Sequence, residues 1–288
     1  MIHSATGHTV HKLLTLQDAM EQKKVVVYET GSVNELAIEN LSSADVYIQS
    51  GDIVKGGRQD RVIPTDYILT SHSGRLPISS FCVEHGRWSK RGDEAAGHFS
   101  TSDRMVAFKP LKMAVREKNA QARVWNEVSN AQAGLASARA FTPPAASPTS
   151  MQLTLENKQL ADAAEAYVRS LSGIIGSKSD VFGYAYAING TIASADVYAS
   201  HDLFGKMWPK LLRSSVTEAV AAKNKSRNFT VPDIATVSRV LSDAESGRAA
   251  APETAGRLTF WQKDSEKIVV YETREQGGTW IHKNYVVK

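Results

Sequence analysis

From Lys24 to about residue 110 the chain is written as short apolar, β-branched runs broken by turn residues, and this pattern limits the fold more than any other feature. Lys24-Val-Val-Val-Tyr28, Glu35-Leu-Ala-Ile-Glu39, Asp45-Val-Tyr-Ile-Gln49 and residues 60–69 and 75–84 carry strand character. Residues 40–43, Gly51-Asp52, Gly56-Gly57 and 71–74 punctuate them. The gaps are too short for the helix that a parallel crossover needs, so the pattern predicts an antiparallel meander or sandwich. A single cysteine, Cys82, removes intrachain disulfides and multi-cysteine zinc sites as supports. An apolar core must therefore hold the fold, and 288 residues at 42% hydrophobic content supply enough chain for one large domain or two ordinary ones.

Helical spacing brackets and follows the β-rich stretch. Thr15 with Asp18 reads as a capping box that opens a brief helix ending near Lys23. Past Lys112, Val124, Val128 and Leu135 form an apolar stripe with Trp125 beside it. Phe141-Thr-Pro-Pro-Ala-Ala-Ser-Pro-Thr-Ser150 cannot continue that helix and reads as a linker. Residues 157–171 are again helical, with Leu160, Ala164, Tyr167 and Leu171 on one face, and residues 181–188 and 191–198 form a hairpin across Asn189-Gly190. Ser200 caps a short helix, Pro209 opens another through Leu212, Val216 and Val220, and Pro232 opens a third using Ile234, Val237 and Leu241. Three strands close the chain at 257–262, 267–271 and 279–287. The fold class is α+β: a β-rich part over 1–110, a helical connection and Pro-rich linker over 111–150, and an α+β part over 151–288. Lys24-Val-Val-Val-Tyr-Glu-Thr30 nearly recurs as Lys267-Ile-Val-Val-Tyr-Glu-Thr273, but the flanks differ, and the two read as similar strands rather than a duplication.

Charge narrows the partners. Lys and Arg number 34 against 30 Asp and Glu, a net +4 too small and too dispersed to point to nucleic acid or to an anionic membrane. No apolar run reaches transmembrane length, and the first residues lack the basic head and apolar stretch of a leader. The sequence as it stands reads as cytoplasmic by default, or as periplasmic or secreted if a leader has been removed. Lys206, Lys210, Arg213, Lys223, Lys225 and Arg227 read as a solvated basic helix face. Protein partners, oligomeric state and cofactors are left open.

One dense polar cluster offers chemistry. Gly51-Asp-Ile-Val-Lys-Gly-Gly-Arg-Gln-Asp-Arg61 reads as a glycine-rich turn between strands, whose amides can form an anion-binding nest beside Lys55, Arg58 and Arg61. It lacks the order of a Walker loop and leads into a strand. In Phe81-Cys-Val-Glu-His-Gly-Arg-Trp88, alternation puts Cys82 and Glu84 on one face, and a carboxylate at the end of a buried strand needs a partner such as Arg61 or Arg87. Cys82 as a nucleophile would need a base and a lowered pKa; a lone Cys in an apolar run is more often a small buried hydrophobe. His72, His85 and His98 show no metal-ligand spacing, so no metal is expected. Ser79 and Ser80 lack the nucleophile elbow of serine hydrolases.

At these residues the sequence resembles a bacterial family, the ARG and rhodanese-phosphatase-superfamily-associated domain. The likeness is carried by Leu14-Thr-Leu-Gln-Asp-Ala19, by Ser50-Gly-Asp-Ile-Val-Lys-Gly-Gly-Arg-Gln-Asp-Arg-Val62 and by Phe81-Cys-Val-Glu-His-Gly-Arg-Trp88. Further matches lie at Ile188-Asn-Gly190, Asp196 and Trp208-Pro-Lys-Leu-Leu-Arg213. The resemblance implies that both polar blocks belong to one site, and it lends support to a nucleotide or phosphorylated ligand. On that basis Lys55, Gly56, Gly57, Arg58, Gln59, Asp60, Arg61, Arg87 and Trp88 are the expected ligand-binding residues for an anionic small molecule. Glu84 and Cys82 are the catalytic candidates, with Glu84 the proton acceptor. Two other readings stand beside it: a non-catalytic structural or interaction module in which the same residues form a network, and a thiol enzyme using Cys82. Whether any reaction is catalysed stays open at this point.

Overall fold

Thr15 and Asp18 form the reciprocal capping box, each side chain accepting the other's backbone amide, and so start α1 (Leu16–Glu21). In the computed structural model, which describes residues 1–3, 12–176, 178–223 and 229–288, the chain divides into two units. The larger comprises Leu13–Leu171 with Pro209–Ala221, and the smaller Met1–Lys12 with Ser172–Trp208 and Ala222–Lys288. Both mix helices with antiparallel sheet, and the fold is α+β.

The larger unit holds three small sheets. Their strand orders are Phe81–Cys82, Arg61–Val62, Asp52–Gly56, Phe99–Met105; then Leu14–Thr15, Val46–Ile48, Tyr67–Leu69; then Val25–Glu29, Glu35–Asn40, Gly74–Ser79. Neighbours are antiparallel except Leu14–Thr15 with Val46–Ile48, which is parallel. The strand read over 60–69 is two, Arg61–Val62 and Tyr67–Leu69, parted around Pro64, which has no amide to give a ladder. The strand read over 75–84 is also two, in different sheets. Asp52–Gly56, read as part of a turn, is a strand, and Phe99–Met105 adds one that the pattern did not announce. The first was hidden because Ile53 packs into one core and Val54 into another, so both faces are buried and no alternation shows.

One of those cores joins Ile53, Val62, Phe81 and Val83 to α2 (Lys109–Ala114), α3 (Gln121–Ser137) and α4 (Met151–Leu155). The expected stripe of Val124, Val128 and Leu135 is the buried face of α3. The Pro-rich stretch between α3 and α4 is not where the chain divides: it lies inside the larger unit, and Ser147 and Ser150 are buried. In α5 (Lys158–Ser172) the expected face is buried only at Leu160, and Tyr167 and Leu171 are exposed.

Pro209 does not open a new helix. α6 (His201–Ala221) runs through it without interruption, beginning where the Ser200 hydroxyl accepts the Leu203 amide. An interior proline costs about 3 kcal/mol. Leu203, Phe204, Met207, Trp208, Leu211, Leu212, Val216 and Val220 are all buried along this helix, at roughly 1.5–3 kcal/mol each, so burial outweighs the lost bond.

The smaller unit is an antiparallel sheet ordered Ile2–His3, Val181–Ile188, Thr191–Tyr198, Trp280–Val287, Ile268–Glu275, Leu258–Asp264, Arg248–Ala249, with Glu253–Ala255 also paired to Leu258–Asp264. Asn189 and Gly190 take the positive φ values, 50° and 78°, that the tight hairpin requires. α7 (Ile234–Glu245) packs Ala244, Val240 and Leu241 on Ala195, Ile268, Val270 and Tyr285. Its cap is Asp233, whose carboxylate accepts the Thr236 amide, one residue later than the proline read as its start. The two similar heptads lie in strands of different units. Among the described residues no helix is long and apolar enough to cross a membrane.

Candidate functional site

The two polar blocks meet by strand pairing. Phe81–Cys82 runs antiparallel to Arg61–Val62, with Cys82 opposite Arg61, and Arg61–Val62 pairs in turn with Asp52–Gly56. The glycine-rich segment is thus the connection of a hairpin, and three successive amides in it are already taken. Gly56 donates to Asp60 Oδ1 at 2.9 Å, Gly57 to the Ala95 carbonyl at 3.2 Å and Arg58 to Glu29 Oε2 at 2.9 Å. Gly57 sits at φ 55°, and a Cβ there would lie 2.4 Å from Phe99 Cζ and 2.8 Å from Glu29 Oε2. Its close approach is to the chain's own side chains.

Behind this hairpin is a buried ion network. Glu84, fully buried, accepts from Arg87 Nε and Nη2 at 2.6 Å each, a bidentate pair, and from Arg91 Nη1 at 3.2 Å and the Asp60 amide at 3.0 Å. Asp60, also fully buried, accepts from Arg91 Nη1 and Nη2 at 2.9 and 3.0 Å, from the Gly56 amide and from the Ser150 hydroxyl at 2.7 Å. Arg87 reaches the carbonyls of Gly56 and Gly57, and Arg91 also holds Glu94. Burial pushes the Glu84 carboxyl upward, but hydrogen bonds from Arg87, Ser147 and the Asp60 amide outweigh it and hold the group below the usual carboxylate range. It is ionised and fully engaged.

The remaining expected residues fall around this network. Lys55 pairs with Glu156 at 2.6 Å, and Gln59 is buried and lends its carbonyl to Arg61. Arg61 pairs with Glu29 at 3.7 Å instead of Glu84, and its side chain is fully buried. Arg58 and Trp88 are the most exposed of them: Arg58 is exposed, Trp88 is 44% exposed, and the guanidinium lies 5.4 Å from the ring centroid. Cys82 is buried; its backbone is bound on both sides by the Gln121 amide group of α3, and Sγ rests 3.6 Å from the Val33 carbonyl. Burial pushes this thiol up to about 11, with the nearby Arg61 opposing and Glu29 adding to the rise. A thiolate is the reactive form. Iodoacetamide at neutral pH is accordingly expected to leave Cys82 unmodified in the native chain and to alkylate it after denaturation, as read by intact mass. Rapid native alkylation would show the thiol to be accessible and activated.

Sequence reasoning missed Arg91, Ser150 and Glu29. Arg91 stands in a charged turn with nothing to separate it from its exposed neighbour Lys90, and Ser150 reaches Asp60 only because α4 begins beside the hairpin. The basic face divides as well. Lys210 is buried in an ion pair with Asp52 at 2.7 Å, Lys206 pairs with Asp202, and Lys225 and Arg227 lie outside the described residues. No group of three or more His, Cys, Asp or Glu among the described residues is arranged to hold a metal ion.

No curated protein and no solved structure matches the chain. The ARG and Rhodanese-Phosphatase-superfamily-associated Protein domain matches residues 2–286, a span that takes in both units and every residue of the network, and the chain belongs to that family.

Proposed function

We propose that the chain is a non-catalytic module whose signature residues fix the larger unit, and that its task is binding or interaction rather than turnover at Glu84 or Cys82. The observation that carries this reading is the saturation of both carboxylates: every oxygen of Asp60 and Glu84 already accepts a hydrogen bond from the chain. A general base needs a free lone pair within reach of its substrate, and Glu84 is buried with none to offer. Buried carboxylates satisfied in this way stiffen and specify a fold; at the edge of the network Arg61 Nε and Glu94 Oε2 are buried without a hydrogen bond.

A narrower form of the binding reading rests on Arg58 and Trp88, an exposed cation against an exposed ring. It places an anionic ligand on the rim of the hairpin, outside the network. A thermal-shift series with ATP, inorganic phosphate and magnesium chloride, run on the native chain and on Arg58→Ala, separates the two. A ligand at a hundred times its dissociation constant adds about 2.7 kcal/mol. The structural reading expects no shift that depends on Arg58; a saturable shift from ATP or phosphate that disappears in Arg58→Ala would overturn it in favour of the rim.

A further inference from the structure

Three arginines outside the network, Arg104, Arg169 and Arg213, line one cavity in the larger unit, and Arg169 is paired with Glu165. The strand Phe99–Met105 carries a bulge: between the pairs Thr101 with Val54 and Met105 with Asp52, residues 102–104 stand opposite Ile53 alone. Such a bulge re-aims side chains. This one is pinned, since the Arg104 amide donates to the Ser102 hydroxyl at 2.9 Å and that hydroxyl donates to Gln152 of α4 at 2.8 Å. Arg104 is thereby placed on a cavity of about 340 Å³ that is also lined by Leu155, Leu160, Val168 and Arg213.

Arg104 and Arg213 are left short of hydrogen-bond acceptors there. Arg104 Nε is buried without a hydrogen bond, its paired carboxylate Asp103 standing off at 3.4 Å. Arg213 makes no hydrogen bond or ion pair among the described residues. Burial draws the Arg104 pKa down, Asp103 opposes this, and the like charge of Arg213 adds to the fall. Glu156, whose charge also opposes the fall at Arg104, is bound by Lys55 and Gln152; Asp162 and Glu165 line the cavity themselves but are paired, Asp162 with Lys158 at 2.8 Å and Glu165 with Arg169 at 2.9 Å. An anion between the two guanidinium groups would supply the missing acceptor and relieve their repulsion.

We propose that this cavity binds a small amphiphilic oxyanion, its carboxylate or phosphate head taken by Arg104 and Arg213 and its apolar body laid on Leu155, Leu160 and Val168. The site is separate from the hairpin and gives the module a ligand that the signature residues do not touch. A cavity of this size with an apolar wall and a few convergent polar groups suits a small organic acid.

Calorimetric titration of the full chain with octanoate, octyl phosphate and sodium sulfate at constant ionic strength tests it. Saturable binding of either octyl compound, tighter than sulfate, is expected, and the stronger of the two names the head group. Arg104→Gln and Arg213→Gln each should weaken it about tenfold, the loss of one charge-assisted contact. Val168→Asp should abolish it, and Lys90→Gln should leave it unchanged. Arg213 is only partly buried, so Arg213→Gln should fold, which its melting temperature will show. No saturable binding of either octyl compound, or binding that survives both Arg213→Gln and Val168→Asp, would overturn the proposal.

Discussion

Asp60→Ala is expected to destabilise the larger unit by about 3–5 kcal/mol, the cost of leaving a buried ion pair broken on one side. The substitution deprives Arg91 of two charge-assisted bonds and leaves the Gly56 amide and the Ser150 hydroxyl without their acceptor, all in a place water does not reach. Ser150 is also the cap of α4, so the loss extends from the hairpin to the helix that closes one core. Urea unfolding followed by tryptophan fluorescence reads it, because Trp88 and Trp125 both lie in this unit. Arg58→Ala, at an exposed side chain of the same hairpin, should stay within about 0.5 kcal/mol of the native chain. A loss under about 1 kcal/mol for Asp60→Ala would mean that the network does not hold the fold, and the structural reading would lose its support.

The second large effect belongs to Gly57→Ala. Two costs add: an L-residue at φ 55° is disfavoured, and the new methyl group collides with the Phe99 ring and the Glu29 carboxylate. Phe99 belongs to a buried core and Glu29 is tied to Gly31, Arg58 and Arg61, so neither gives way freely. The expected loss is about 3 kcal/mol, again by urea unfolding. Gly86→Ala is the control: it shares a positive φ of 87° but nothing lies within 4 Å of its Cβ position, so it should lose only the backbone part. Equal losses at the two positions would show that the backbone angle alone, and not contact with Phe99 and Glu29, fixes Gly57. Together the two experiments ask whether the glycines and charges of the signature serve the chain's own packing.

Much of the fold was legible because it is written locally. The capping box at Thr15, the stripe of α3 and the Asn189-Gly190 hairpin depend on residues within a few positions of one another, and each forms as its spacing dictates. Legibility failed where burial ran against local propensity. The strand Asp52–Gly56 has both faces covered and so shows no alternation, and α6 continues through Pro209 because its buried face is worth more than one hydrogen bond. The linker reading failed for a related reason. Three prolines do forbid a helix, but a non-helical segment can still be bound down, as Ser150 is to Asp60.

For the site, the sequence by itself put Asp60, Arg61, Glu84 and Arg87 in two blocks dense in charge, and a buried carboxylate among apolar neighbours requires a cation; Arg91, Ser150 and Glu29 emerged only from the tertiary structure. What it had no means to determine was the pairing. Glu84 had two candidate partners; the structure assigns Arg87 and Arg91 to it and gives Arg61 to Glu29. Which cation meets which carboxylate depends on strand register and on where α4 begins, and those are set by the packing of whole sheets and helices. The same holds for Arg104 and Arg213, which stand far apart in the chain and share a cavity only because a bulge and a helix bring them to one wall. Charge and burial are properties of residues and can be read one at a time, whereas satisfaction is a property of the fold.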